Sequence, residues 1–315
     1  MTIFTRSAIA AALLAVTGAA SAAAPMAKSP APGFYRMMVG DIEVTALSDG
    51  TVDLPMDKLL HEKPAKLQSA LSNHFLKAPV ETSVNAYLIN TGSKLVLVDA
   101  GAGGLFGPTL GKLQASLRAA GYQPEQVDEI YLTHLHPDHV GGLGNADKAA
   151  FPNAVVRADR HDADFWLSKA KQDAAPEQAK GFFQGAQASL AAYAGANRFK
   201  PFDSDTDLVP GIRATSSYGH TPGHTSYVIE SRGEKLVLIG DLMHAHFIQF
   251  DDPSVTIDFD SDTKAALAAR KAAFANAAKG GYLIGAAHLP FPGLGHLRGN
   301  GKAYQFVPVN YSVPR

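Results

Sequence analysis

The 315-residue sequence predicts an α/β architecture in which two β-sheets pack face to face with helices on the outside. Two observations carry this. Segments with strand character are followed by segments with helical spacing, and that order occurs twice. No Pro-, Gly- or Ser-rich linker separates the two halves, so they read as one domain.

In chain order, residues 1–24 read as a cleaved signal peptide. Arg6 gives a positive start, residues 8–16 a short apolar run, and Ala20-Ser21-Ala22 a small-x-small cleavage site. A periplasmic or secreted protein is expected, with no membrane attachment after cleavage. Residues 25–34 form a flexible leader, and the folded domain is expected over 35–315. Strands are expected over 37–39 and 42–47, with a turn at Asp49-Gly50. Residues 85–90 and 94–98 flank Thr91-Gly92 as a hairpin. Leu110, Leu113 and Leu117 set helical spacing over 108–120, closed by Gly121, and 127–132 is a short apolar strand. In the second half, 162–169 and 177–194 are helical. Strands follow over 212–217, 225–230 and 235–239, with Arg232-Gly233 turning between the last two. An Ala-rich helix over 262–278 stops at Gly280-Gly281, and 282–286 is the final buried strand.

Hydrophobic residues make up 46% and charged residues 18%, ordinary for a globular protein with a substantial core. With 28 basic against 29 acidic residues, the chain offers no general attraction to nucleic acid or anionic membrane, and neither is expected as a partner. There is no cysteine, so no disulfide and no thiolate ligand is available.

Chemistry concentrates in Thr133-His134-Leu135-His136-Pro137-Asp138-His139, at the end of the strand over 127–132 and just before Gly141-Gly142. Three imidazoles and a carboxylate in six residues, on a glycine-flanked loop, can point several ligands at one spot. Neutral imidazole suits zinc and its first-row neighbours, and carboxylate adds a hard oxygen. Three further ligand-competent groups follow later strands: His220 after 212–217, Asp241 after 235–239, and His288 after 282–286. His224, in Gly219-His220-Thr221-Pro222-Gly223-His224, is the rival to His220.

The H-x-H-x-D-H run resembles the signature of the metallo-β-lactamase superfamily, binuclear metallohydrolases on an αββα sandwich of two mixed sheets. Residues 33–54, 82–107, 121–142, 151–167, 200–225 and 304–313 resemble methyl parathion hydrolase and its dihydrocoumarin hydrolase-like lactonase relatives. The resemblance implies that His134, His136 and His220 hold a first metal, and Asp138, His139 and His288 a second. Asp241 is implied to bridge both, with a water or hydroxide as second bridge. It implies a catalytic part for Asp241 and Asp138. Asp99 is implied to hold the ligand loop by hydrogen bonds, and His224 to support the site without binding an ion. Zinc is the expected pair of ions, with manganese, cobalt or iron(II) accepted by the same donors. A homodimer is implied as well.

Such a centre is equipped to hydrolyse an ester, lactone, amide or phosphotriester. Gly-x-Ser-x-Gly is absent, so no serine triad is expected. Phe106, Trp166, Phe182, Phe183, Phe247 and Phe291 fall in loops expected near the mouth, and Phe106, Trp166 and Phe182 or Phe183 are the expected substrate contacts. They suit a small, uncharged aromatic substrate. Met243-His244-Ala245-His246 stands where methyl parathion hydrolase is apolar, Leu59 where it has arginine, and Ile257 and Phe259 are bulkier. With His244, Ile257 and Phe259 in the pocket, a lactone or aryl ester of the dihydrocoumarin type is expected, cleaved by a metal-bridging hydroxide. Organophosphate hydrolysis is then a weak side activity. The alternatives are a phosphotriesterase proper, a β-lactamase, and a periplasmic metal-binding protein without catalysis.

Overall fold

A thirteen-residue strand that does not turn where its sequence suggests sets up one wall of the molecule. In the computed structural model, which describes residues 24–311 and 313, β1 (Phe34–Val39) pairs antiparallel with β2 (Ile42–Leu54). Asp49-Gly50 was expected as a turn. The strand instead continues through a bulge between Ser48 and Gly50, where Gly50 takes a φ of 121°. The reason lies in Asp49. Its buried carboxylate accepts the N–H groups of Ala102, Gly111 and Leu113, each at 2.9 Å, and so pins a distant loop. The signal peptide expected over 1–24 lies outside the described residues except for Ala24. Pro32–Arg315 form one unit, and residues 24–31, of the other unit, have no regular structure.

After β2 come α1 (Met56–Leu59), the two-residue strand β3 (Leu60–His61) and α2 (Pro64–Asn73), which the sequence pattern did not announce. The expected hairpin is present as β4 (Val80–Asn90) and β5 (Leu95–Val98). The next helix, α3 (Leu113–Ala119), starts later than its spacing suggested because Asp49 holds Gly111 and Leu113. β6 (Glu129–Tyr131) runs parallel to β5 and delivers the histidine-rich loop, whose end forms α4 (Pro137–Val140). The small pair β7 (Gly144–Asn145) and β8 (Lys148–Ala149) precedes β9 (Val155–Arg157), which closes a six-stranded mixed sheet ordered β1-β2-β4-β5-β6-β9.

The single helix expected over 162–169 is two helices, α5 (Arg160–Trp166) and α6 (Lys169–Ala174). Asp159 caps the first by accepting from His161 N, and Ser168 caps the second by accepting from Lys171 N. A long helix follows, α7 (Glu177–Gly195). The second sheet is built from β10 (Thr206–Val209), β11 (Ile212–Ser216), β12 (Thr225–Ser231) and β13 (Glu234–Leu238), all antiparallel. Then come α8 (His246–Gln249), the strand β14 (Thr256–Ile257) that pairs with β3, and α9 (Thr263–Gly280). Asp262 caps α9, and Gly281 ends it in the left-handed region at φ 64°. β15 (Leu283–Gly285) lies parallel to β13. It was expected as the last strand, but β16 (Leu294–Asn300) and β17 (Ala303–Pro308) extend the sheet to seven. Gly295, Gly299 and Arg298 dilute the apolar alternation that would have marked β16 in the sequence.

Strand alternation sorts the apolar residues into three layers. On β5, Leu95 and Leu97 face a core shared with Leu117 of α3 and Phe183 and Leu190 of α7, whereas Val96 and Val98 face the other sheet. There they meet Tyr227 and Ile229 of β12 and Leu236 and Leu238 of β13. The outer face of the second sheet packs on α9 through Ile284, Phe274 and Ala277. This is an αββα sandwich, and the C-terminal ends of β5, β6, β11, β13 and β15 carry the loops described next.

Replacing Asp49 with alanine strands three N–H donors, two of them buried, and frees the loop they belong to. A loss of about 2–4 kcal/mol is expected, read as a lowered denaturation midpoint with an unchanged m-value. A change below about 0.5 kcal/mol shows that the loop holds itself.

Candidate metal centre

Donors from both sheets converge on one spot. The loop after β6 supplies His134, His136, Asp138 and His139, the loop after β11 supplies His220, and those after β13 and β15 supply Asp241 and His288. They fall into two sets. His134, His136, His220 and Asp241 each offer a ligand atom within 4.8 Å of the others, and so do Asp138, His139, Asp241 and His288. Asp241 belongs to both. All are buried except Asp138, which is partly open.

Neighbouring groups fix which nitrogen each imidazole turns inward. His139 gives its Nδ1–H to Asp99 Oδ2 at 2.8 Å, and Asp99 also accepts from the backbone N–H and the hydroxyl of Thr133. His220 gives its Nδ1–H to Asp260 Oδ1 at 3.0 Å, and His288 gives its Nδ1–H to the Ser83 carbonyl at 2.9 Å. The Nε2 atoms of all three are thereby aimed at Asp241, at 3.3, 3.4 and 3.1 Å. His136 differs, presenting Nδ1 at 3.1 Å from His220 Nε2.

This donor set fits divalent cations. His134 Nε2, His139 Nε2 and Asp241 Oδ1 are buried with no hydrogen-bond partner, which a protein avoids unless something else is to be bound. Burial holds His134, His136 and His220 well below the usual histidine pKa, so they are neutral and their lone pairs are free. Burial opposes charge on His139 and His288 too, but Asp241 and its carboxylate neighbours outweigh it. His139 is raised well above the ordinary value and His288 is pushed up to about 9. Asp241 is held far down despite its burial, by His288, His139, His244 and His134. A cation taking those nitrogens must displace protons, so uptake is linked to proton release and strengthens as pH rises.

His224 has neither ring nitrogen to spare. Its Nε2 accepts the backbone N–H of Asp241 at 3.0 Å, so its Nδ1 carries the proton and donates to Ser217 Oγ at 2.8 Å. The same tautomer leaves His224 no lone pair with which to activate Ser217 as a nucleophile. Gly240 makes the first bond feasible. Its φ is 51°, and a Cβ there would lie 2.7 Å from His224 Nε2.

A cavity opens over the centre. His136, Asp138, Asp241, His244 and His288 line it, together with Val52, Leu54, Phe106, Leu110, Phe182 and Phe259. Of the aromatic residues expected at the mouth, Phe106 and Phe182 are there, edge to face at 6.5 Å. Trp166 and Phe183 line an adjoining cleft that shares His136, Phe182 and Phe259 with the first. Ile257 is a correction. It is fully buried beside Met56, Leu60 and Val255, with Leu59 packed on the same cluster, because β14 pairs with β3 and turns its side chain inward. Phe247 joins that cluster, and Phe291 packs between the sheets. His244 sets Nε2 3.1 Å from Asp241 Oδ2 and stacks on His288 at 5.0 Å.

Sequence reasoning missed Asp49, Ser83, Asp260 and Arg270. Arg270 is fully buried on α9, donates to the carbonyls of Leu242, Pro253 and Val255, and stands 3.6 Å from Asp260. Each is far in sequence from the groups it supports, so only a folded chain reveals it.

The family model of the metallo-β-lactamase superfamily matches residues 79–279, a stretch that carries every donor but His288. The chain belongs to the metallo-β-lactamase superfamily. Within it, the chain is 28% identical over 148 residues to an N-acyl homoserine lactonase of Bacillus cereus, covering 46% of this chain and 50% of that protein. A second N-acyl homoserine lactonase, of a Bacillus species, is 29% identical over 179 residues, 51% of this chain and 63% of the other. The chain thus spans half to under two thirds of these curated relatives. Among solved structures, a hydrolase of the same superfamily, AbOPH, superposes with a TM-score of 0.86 at 39% identity, covering 90% of this chain and all of the other. AidC, a dizinc quorum-quenching lactonase in complex with a homoserine product, gives 0.81 at 29% identity, covering 89% and 99%.

Elemental analysis of purified variants checks how this superfamily member partitions its donors. Asp241→Ala is expected to lose both ions, because it serves both sets, whereas His224→Ala keeps most of its metal. Metal loss in His224→Ala with retention in His220→Ala overturns the assignment.

Proposed function

We propose that this chain is a two-metal hydrolase of small, uncharged lactones or activated aryl esters. The observation that carries the reading is the cavity: two donor sets at its floor, apolar and aromatic walls, and no lysine or arginine among the described lining residues. A cephalosporin or penicillin brings a carboxylate that such a lining does not meet, which weighs against a β-lactamase. The lactonase names of the relatives support the same substrate class.

His134, His136 and His220 are assigned to the first ion, Asp138, His139 and His288 to the second, and Asp241 to both. When bound, two divalent cations supply hydroxide near neutral pH and polarise the scissile carbonyl. The protein's own side chains do the remaining work. Phe106 and Phe182 receive a flat ring and exclude water from it. Asp138, the most open of the donors, is placed to take the proton of the attacking water at a carboxylate oxygen and hand it to the departing alkoxide or phenoxide. His244 adds a polar N–H beside the reacting oxygens. Its ring, 5.8 Å from that of Phe259, narrows the wall, which leaves less room for a tetrahedral phosphotriester and its alkoxy arms than for a planar lactone.

Two measurements test this. In a side-by-side rate profile of zinc-loaded protein on dihydrocoumarin, an N-acyl homoserine lactone, methyl parathion and nitrocefin, both lactones are expected ahead of the others. Methyl parathion in front reverses the substrate reading in favour of a phosphotriesterase, and no turnover of any of the four points to a metal-binding protein. Separately, His244→Phe is expected to cut lactone kcat/KM about 10- to 100-fold with metal content unchanged, and to spare residual phosphotriester turnover.

A further inference from the structure

We propose that Asp162, in the first turn of α5, is the positioning residue of the first donor set and of that set alone. The inference rests on the two-set assignment above. The Asp162 side chain is fully buried, and each of its carboxylate oxygens holds a different ligand loop. Oδ2 accepts the N–H of Leu135, the residue between His134 and His136, at 2.9 Å. Oδ1 accepts the N–H of Gly223, three residues beyond His220, at 2.5 Å. One carboxylate therefore ties together the two loops, rooted in opposite sheets, that deliver the three imidazoles of the first set.

The surroundings fit a brace rather than a chance contact. At Gly223 a Cβ would fall 2.4 Å from the backbone nitrogen of Asp162 and 2.9 Å from its Cβ, so loop and helix touch backbone to backbone and only glycine fits. Asp159, the cap of the same helix, accepts the Tyr218 hydroxyl at 2.9 Å, which anchors the start of the His220 loop. Trp166, at the helix's other end, sets its ring edge-on to His136 at 5.1 Å. None of these contacts involves the side chains of the second set. His139 is oriented by Asp99 and His288 by Ser83, both on the β4–β5 side of the sandwich. The two sets are thus braced by different side chains, while both draw on the loop after β6 and share Asp241. Groups that orient metal ligands typically contribute 10- to 100-fold in affinity.

The test is chelator competition on the full mature chain loaded with zinc, in backgrounds that isolate each set. Wild type is expected to hold two ions; a single ion, or none, sinks the two-set assignment itself rather than the role of Asp162. In a His288→Ala background, where the first set retains its donors, Asp162→Asn is expected to weaken the remaining ion 10- to 100-fold. In a His220→Ala background the same substitution is expected to leave the remaining ion unchanged. Equal weakening in both backgrounds, or no weakening in either, overturns the proposal. Thermal melting of metal-free protein separates positioning from bulk stability, with Asp162→Asn expected close to its parent; a collapse there assigns Asp162 to folding instead. Tyr218→Phe removes only the outer anchor, and keeps the question open to decision if Asp162→Asn does not fold. It is expected to weaken the first ion a few-fold and spare the second, and an unaltered first ion counts against the brace.

Discussion

Asp241 is a carboxylate taken out of water and ringed by imidazole nitrogens, and the rest of the molecule serves that arrangement. Its Oδ2 has the Nε2 atoms of His244 and His288 at 3.1 Å, His220 at 3.4 Å and His134 at 3.7 Å. An isolated charge at such depth costs several kcal/mol, so it persists only where surrounding charge and dipoles are fixed in compensating positions. The fixing is done from the backbone outward. Gly240 lets the chain turn tightly enough for the N–H of Asp241 to reach His224, and His224 is in turn held by Ser217. The far nitrogens of His134, His220 and His288 are committed to a hydroxyl, a carboxylate and a carbonyl, so rotation of any of these three breaks a hydrogen bond.

A second tier of polar groups ties this ring to the sheets. Asp99 bridges His139 and Thr133 at the end of β5, and Asp260 links His220 to the buried guanidinium of Arg270. Burial pushes the Asp260 carboxyl up and the Arg270 guanidinium down, and their proximity offsets part of both costs. Arg270 reaches three carbonyls of the segment between Leu242 and Val255, and so fixes the loop that carries His244. The apolar wall over the ions is governed independently, since Asp49 pins the loop bearing Phe106 and Leu110 from a strand that supplies no donor.

The sequence announced the sandwich and the donors because both are written locally. Period-two runs ending in Asp99, His134, His220, Asp241 and His288 placed ligand-competent side chains at strand ends, and the six-residue cluster could hardly be mistaken. What it concealed was non-local. Asp49-Gly50 has the composition of a turn, yet three N–H groups some fifty to sixty residues away hold it in a bulged strand. β16 is diluted by glycine at a sheet margin, where pairing with β17 rather than burial decides the conformation. Ile257 carries a bulky side chain in the right segment, but the two-residue pairing of β14 with β3 turns it away from the cavity. Facing direction, unlike strand content, depends on a partner that the local sequence does not name.

Each donor set takes two members from the loop after β6 and two from loops of the second sheet. Ions held by these sets would rivet the seam between the sheets, and with no cysteine available for a disulfide they would be the strongest cross-links open to the chain. Abundance of a protein stapled in this way would read out cation supply. When supply falls, the seam opens more often, proteases meet the open form more often, and the chain is cleared. Loading of the site would then follow the supply of divalent cation through turnover of the polypeptide as well as through occupancy.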